Sequence, residues 1–190
     1  MSQAAKLDAA DTQLLIIDLQ VKLLPLIEDH ESVLETASRI IRAAEIFGLP
    51  VTVTEQYPKG IGPTHTAIVE ALGRVEHTRL EKMSFSCGGD PAIVKRLSAM
   101  ERRQILVCGI EAHVCVQQTT LDLLRLGWEP FVLADGVSSR VEFDYDIALL
   151  RMQQAGAIIT TSESVLFELA GVSGTEQFKR VLELVKDAGV

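Results

Sequence analysis

Gln104-Ile105-Leu106-Val107-Cys108-Gly109-Ile110, then Glu111-Ala112-His113-Val114-Cys115, then Val116-Gln117-Gln118-Thr119-Thr120-Leu121-Asp122-Leu123-Leu124-Arg125-Leu126-Gly127: this stretch decides the fold. Its first segment is an apolar run without alternation, as expected of a strand covered on both faces. Val114 to Leu126 reads as a helix closed by Gly127. A strand that feeds a helix through a short turn is the unit of a parallel sheet, because parallel neighbours need a crossover. Cys115 sits at that turn. A thiol there lies at the positive end of the helix dipole, where backbone N–H groups stabilise a thiolate, so Cys115 is a candidate nucleophile.

The same alternation runs in both directions from this unit. Further strands are expected at Gln13 to Asp18, Val51 to Glu55, His77 to Lys82, Pro130 to Asp135 and Ala157 to Thr161. Helices are expected at Ser32 to Phe47, Thr66 to Leu72, Pro91 to Met100, Glu142 to Gln154, Ser162 to Leu169 and Thr175 to Ala188. In the first of these, Val33, Ala37, Ile40, Ile41, Ala44 and Phe47 recur at steps of three or four, one face of a helix. Ser32 and Glu35 form a capping-box pattern at its start, and Gly48-Leu49-Pro50 ends it. Runs such as Leu14-Leu15-Ile16-Ile17 need helices on both sides. The expected architecture is a three-layer α/β/α sandwich with a mostly parallel six-stranded sheet, one domain over residues 1–190.

Composition narrows the partners. The chain has 190 residues, 47% hydrophobic and 5% aromatic, so the core should be mainly Leu, Ile, Val and Ala. With 26 acidic against 18 basic residues the net charge is −8, which argues against binding a phosphate backbone. No nucleic-acid partner is expected. Cys87, Cys108 and Cys115 are an odd set without a CxxC, neither a disulfide framework nor a zinc site. The start, Met1-Ser2-Gln3-Ala4-Ala5-Lys6-Leu7-Asp8, lacks the apolar stretch of a signal peptide, and no apolar run approaches membrane-spanning length. A cytoplasmic protein without a membrane partner is the expectation.

Sites in open parallel sheets form beyond the carboxyl ends of the strands. Three reactive residues fall there: Asp18, Lys82 and Cys115. A carboxylate can take the thiol proton, and an ammonium can stabilise both anions, which an ordinary thiol needs to act near neutral pH. Taken singly, each has a plainer reading: a strand-ending Asp, a solvated Lys, a small core Cys. Their joint placement favours chemistry.

These three residues, with Gly109-Ile110-Glu111-Ala112-His113-Val114-Cys115-Val116, resemble the isochorismatase-like cysteine hydrolase superfamily. Val53-Thr54-Glu55-Gln56-Tyr57-Pro58-Lys59-Gly60-Ile61-Gly62-Pro63-Thr64 is similar to its small isochorismatase-domain-containing subgroup, whose substrates are poorly defined. The resemblance implies an Asp–Lys–Cys triad at Asp18, Lys82 and Cys115. It also implies a non-proline cis peptide between Ile110 and Glu111, aiming the N–H groups of Glu111 and Cys115 at an oxyanion. The implied activity is amidohydrolase-type cleavage of a small amide or ureido C–N bond through a thioester, without cofactor. The implied partners are a small-molecule substrate and further copies in a homo-oligomer.

Two departures refine this. Isochorismatase proper lacks the cysteine, so vinyl-ether cleavage is not expected. Nicotinamidases carry an Asp-x-His metal site after the second strand, where this chain has Glu55-Gln56-Tyr57, and no metal is expected. Gln56, Tyr57, Phe85 and His113 are candidate pocket residues, with loop packing or a surface role as the plainer reading. Cys108 is expected in the core and Cys87 in a helix-starting turn. Asp135-Gly136-Val137-Ser138-Ser139-Arg140 reads as a turn with a helix cap. An idle scaffold with an interaction role and a redox-sensing cysteine stay open as alternative functions, the second without an obvious resolving cysteine.

Overall fold

The computed structural model describes residues 6–73 and 75–186. Residues 1–5 of the N-terminal stretch discussed above lie outside them, as do the last two residues of the expected closing helix, 187 and 188.

Six strands, β1 (Thr12–Ile17), β2 (Val51–Gln56), β3 (His77–Lys82), β4 (Gln104–Ile110), β5 (Glu129–Ser138) and β6 (Ile158–Thr160), form one sheet in the order β3-β2-β1-β4-β5-β6. Every pairing is parallel. The central strands β1 and β4 are buried at every residue, as their unbroken apolar runs require. Edge strand β3, His-Thr-Arg-Leu-Glu-Lys, instead alternates in exposure, with His77, Arg79 and Glu81 facing water and Lys82 buried at its end.

Helices cover both faces. Leu14, Ile16, Leu106 and Phe131 pack with Val33, Ala37, Ile40 and Ile41 of α1 (His30–Phe47). Leu15, Ile17, Ile105 and Val107 pack on the opposite face with residues of α4 (Pro91–Ser98), α5 (Gln117–Arg125) and α6 (Glu142–Ala155). The short helices α2 (Pro58–Ile61) and α3 (Thr66–Leu72) follow β2, and α7 (Ser162–Ala170) and α8 (Glu176–Lys186) close the described chain. α1 buries a second flank, where Ala43 joins Leu166, Val181 and Leu184 beneath α7 and α8. Among the described residues no helix is long and apolar enough to cross a membrane.

Three local expectations are corrected. The Ser32–Glu35 capping box does not form. α1 begins at His30, its first turn closed by Val33 N–H on the Asp29 carbonyl, and Asp29 stands at the N-cap with no side-chain cap bond. The expected helix over Val114 to Leu126 is two elements, a π turn at Ala112–Val116 and then α5. Asp135 does not end its strand. β5 runs on to Ser138 across a register shift, and the Asp135 carboxylate accepts from the backbone N–H of Ser162 (2.8 and 3.1 Å) and from its hydroxyl, capping α7.

The chain runs outward from β1 to β3, then returns to β4 and runs outward the other way. The carboxyl ends of β1 and β4 therefore flank the switch point of the sheet, where such folds open a crevice.

Candidate active site

Asp18 follows β1 and Cys115 follows β4, so the switch point holds both. β1 stops sharply because Asp18 adopts a left-handed backbone (φ 54°), which Asp tolerates better than most residues. β4 is drawn close at Gly109, which pairs with Ile17. At its φ of 131°, a Cβ on residue 109 would lie 2.0 Å from the Ile17 carbonyl oxygen, so only glycine fits. The Ile110–Glu111 peptide is cis, and the chain then enters the π turn, closed by Val116 N–H on the Glu111 carbonyl (3.2 Å).

Lys82 arrives from the edge of the sheet, two strands away. It is not the solvated lysine its sequence context suggests when taken alone: the residue is 3% exposed, and Asp18 is fully buried. Its Nζ donates to Asp18 Oδ2 at 2.6 Å, Gln56 Oε1 at 2.8 Å, the Phe85 carbonyl at 3.1 Å and the Ser84 carbonyl at 3.3 Å. An ammonium has three N–H groups, so these four acceptors leave none over. Burial works against the charge, yet Asp18 and the thiols of Cys87 and Cys115 outweigh it and hold Lys82 above the usual lysine range. The other Asp18 oxygen accepts from the Thr54 hydroxyl at 2.8 Å.

Cys115 is 5% exposed, and its thiol is near enough to Asp18 and Lys82 to feel both charges. Burial first, then the neighbouring Asp18 charge, pushes its thiol up to about 12, against the opposing pull of Lys82. The expectation of a dipole-stabilised thiolate is therefore corrected. The cysteine lies inside the π turn, ahead of the first residue of α5, and it faces a carboxylate. At neutral pH it keeps its proton as a thiol.

The remaining sequence candidates divide. Gln56 is buried and bridges Lys82 to the next loop, its Nε2 donating to the Met83 carbonyl at 3.0 Å. Tyr57 is half exposed and, with Lys59, Lys82, Met83, Ser84 and Asp90, borders a cavity of about 440 Å³. Phe85 holds Lys82 through its carbonyl, while its ring is turned to solvent. His113 is tied down, with Nδ1 2.9 Å from the Ser139 hydroxyl and Nε2 4.0 Å from Asp144. Glu111 pairs with Arg140 at 2.9 Å.

Sequence reasoning missed three contributors. Gln20 ties β1 to the loop after β2: its Nε2 donates to the carbonyls of Gln56 (3.0 Å) and Gly62 (2.6 Å), and its Oε1 accepts from Gln56 N–H at 2.7 Å. Thr54 orients Asp18. Cys87, in a 3-10 turn, is a second buried thiol beside the ion pair, 3.9 Å from the Thr54 hydroxyl. A buried polar residue within β2 (Thr54) and one just beyond the apolar β1 (Gln20) were the available signals. Glu55 is fully engaged, accepting from Thr64 N–H (2.8 Å) and hydroxyl (2.6 Å) with Arg79 3.8 Å away. Among the described residues no group of three or more His, Cys, Asp or Glu is placed to hold a metal ion.

A family model described as the isochorismatase domain matches residues 12–164. Isochorismatase domain-containing protein 2 of Macaca fascicularis is 39% identical over 175 residues, covering 92% of this chain and 82% of its own. The MAR1 ribonuclease of Caenorhabditis elegans superposes with a TM-score of 0.90 at 39% identity, over 96% of this chain and 93% of that one. YcaC from Pseudomonas aeruginosa, solved with hexane-2,5-diol and covalent acrylamide, superposes with a TM-score of 0.88 at 25% identity over 100% of both chains.

Proposed function

This chain belongs to the isochorismatase domain family, and from that premise we propose that it is a metal-independent cysteine hydrolase of small amide or ureido C–N bonds. The observation that carries the proposal is the buried Asp18–Lys82 pair with the Cys115 thiol close enough to feel both charges. The covalent acrylamide in the YcaC structure supports it, because acrylamide is an electrophile that a protein nucleophile captures.

Asp18 takes the Cys115 proton as sulfur attacks the substrate carbonyl, so no free thiolate has to exist in the buried site. Lys82 stays an ammonium, keeping Asp18 ionised and fixed. The N–H groups of Glu111 and Cys115 receive the developing oxyanion. Asp18 then returns the proton to the departing nitrogen as the C–N bond breaks, leaving an acyl thioester on Cys115. Water, deprotonated by the same carboxylate, cleaves the thioester and restores the thiol. The worm relative's name is that of a ribonuclease. For this chain a net charge of −8 and a site lysine consumed by internal acceptors weigh against an RNA backbone as substrate.

The test is a panel of small amides, ureides and single-stranded RNA, read by ammonia or fragment release, with acid-quenched mass spectrometry of the protein. Turnover of an amide with an acyl adduct on Cys115, both absent in Cys115→Ala, is the expected result. Turnover that survives Cys115→Ala, or RNA cleavage alone, overturns the proposal.

A further inference from the structure

α6 is apolar on two sides. Ala148 and Met152 are buried against the sheet, as a covering helix requires. On the opposite side Phe143 (71% exposed), Ile147 (47%) and Leu150 (48%) form a stripe at steps of four and three. Scattered exposed apolar residues are ordinary, but three in register on one helix face mark a contact surface.

The charges beside the stripe say what covers it. Asp144 and Arg151, seven residues apart, lie within about 20° of each other around the helix axis, on one flank of the stripe. They stand three residues before and four after Ile147. A two-fold axis through Ile147, perpendicular to the helix, lays a second α6 antiparallel on the first and brings like flank to like flank. Asp144 of each copy then faces Arg151 of the other, and both pairs form at once. Arg125 borders the groove between α5 and α6 beside Arg151, but its charge is already met by Asp122 at 2.8 Å, so Arg151 is the cation this flank offers. Asp144 has room for this, since its side chain is half exposed and His113 approaches only to 4.0 Å. We infer that the outer face of α6 is the self-association surface of this protein, and that its partner is a second copy of the chain, antiparallel about Ile147. The opposite flank carries one cost: Asp146 approaches its own copy near the axis, a like-charge contact.

This inference is independent of the catalytic proposal. Its test is the mass of the full-length protein by light scattering across a dilution series. The wild type should be a dimer or a multiple of one, and Ile147→Asp should shift it to half that unit. Asp144→Arg and Arg151→Asp should each raise the dissociation constant about tenfold or more. Combining them in one chain, or mixing the two single variants, should restore it. Asp146→Asn should tighten the dimer. Ile147→Cys, on the axis, should cross-link to itself under mild oxidation, the three native cysteines being buried. A wild type that is monomeric throughout overturns the inference. So does an oligomer indifferent to Ile147→Asp, or charge reversals that never rescue one another.

Discussion

Cys108 and Cys115 are seven residues apart, and burial pushes both thiols up to about 12, yet their surroundings differ, and the proposed function sets them opposite roles. Cys108 lies inside β4 among apolar side chains, with Asp135 as the charge felt there. Cys115 lies on the turn beyond the same strand, against a carboxylate that is itself held by a lysine. A depressed acidity constant does not separate them. What separates them is whether the proton has somewhere to go when sulfur is called on to react.

The largest test of this contrast is direct. Cys115→Ala should lower turnover of any amide substrate at least about 10³-fold with little change in thermal midpoint. Cys108→Ala should keep turnover near wild type and lower the midpoint by about 2–4 °C, as a small core cavity would. Similar activity losses in the two variants would dissolve the distinction.

The next effect is on stability. Lys82→Met strands a buried carboxylate and should cost about 3–5 kcal/mol in urea unfolding. Adding Asp18→Asn removes that charge and should return much of the stability without returning activity. A double variant as unstable as the single one would show that the pair's charge is not what holds the switch point together.

Gln56→Ala sharpens the comparison further, because it removes an acceptor of Lys82 without touching either thiol. A drop in kcat of about tenfold with KM unchanged is expected of a residue that positions the lysine. A change confined to KM would make Gln56 a substrate contact instead.

The smallest effect is the pH dependence of stability. Folding raises the cysteine values from an ordinary 9.0 to about 11 for Cys87 and about 12 for the other two. Between those limits the native state holds protons that the unfolded chain has lost, so stability falls as pH rises from about 9 toward 12. Lys82, also raised, acts in the same direction. Thermal midpoints should decline over that window, less steeply in Cys108→Ala. A midpoint that rises with pH there would contradict the burial of the thiols.

Much of this was legible from residues alone. Unbroken apolar runs located β1 and β4, and helical periodicity located α1, since burial on both faces or on one stripe writes itself into local composition. Edge strand β3 was found despite its polar face. Asp18, Lys82 and Cys115 stood out in the sequence because they lie at or just past predicted strand ends. What lay hidden depends on cross-strand distance rather than local pattern: the Gln56 bridge between β2 and β3, the Gln20 clasp, and Cys87 beside Thr54. The second half of the π turn, Val114 to Val116, was read as ordinary helix because its side chains suit either winding. Asp135 passed for a turn because the register shift that keeps it within β5 is fixed by its neighbour β4.

The saturation of Lys82 has a consequence for encounter. With every N–H of the ammonium satisfied and its charge cancelled by Asp18, the pair presents no monopole to the crevice, only a short dipole turned inward. Arriving molecules are neither drawn in nor sorted by sign at this pair, so ionic strength has little purchase on their capture. If the site works as proposed, selection is left to shape and to the backbone amides.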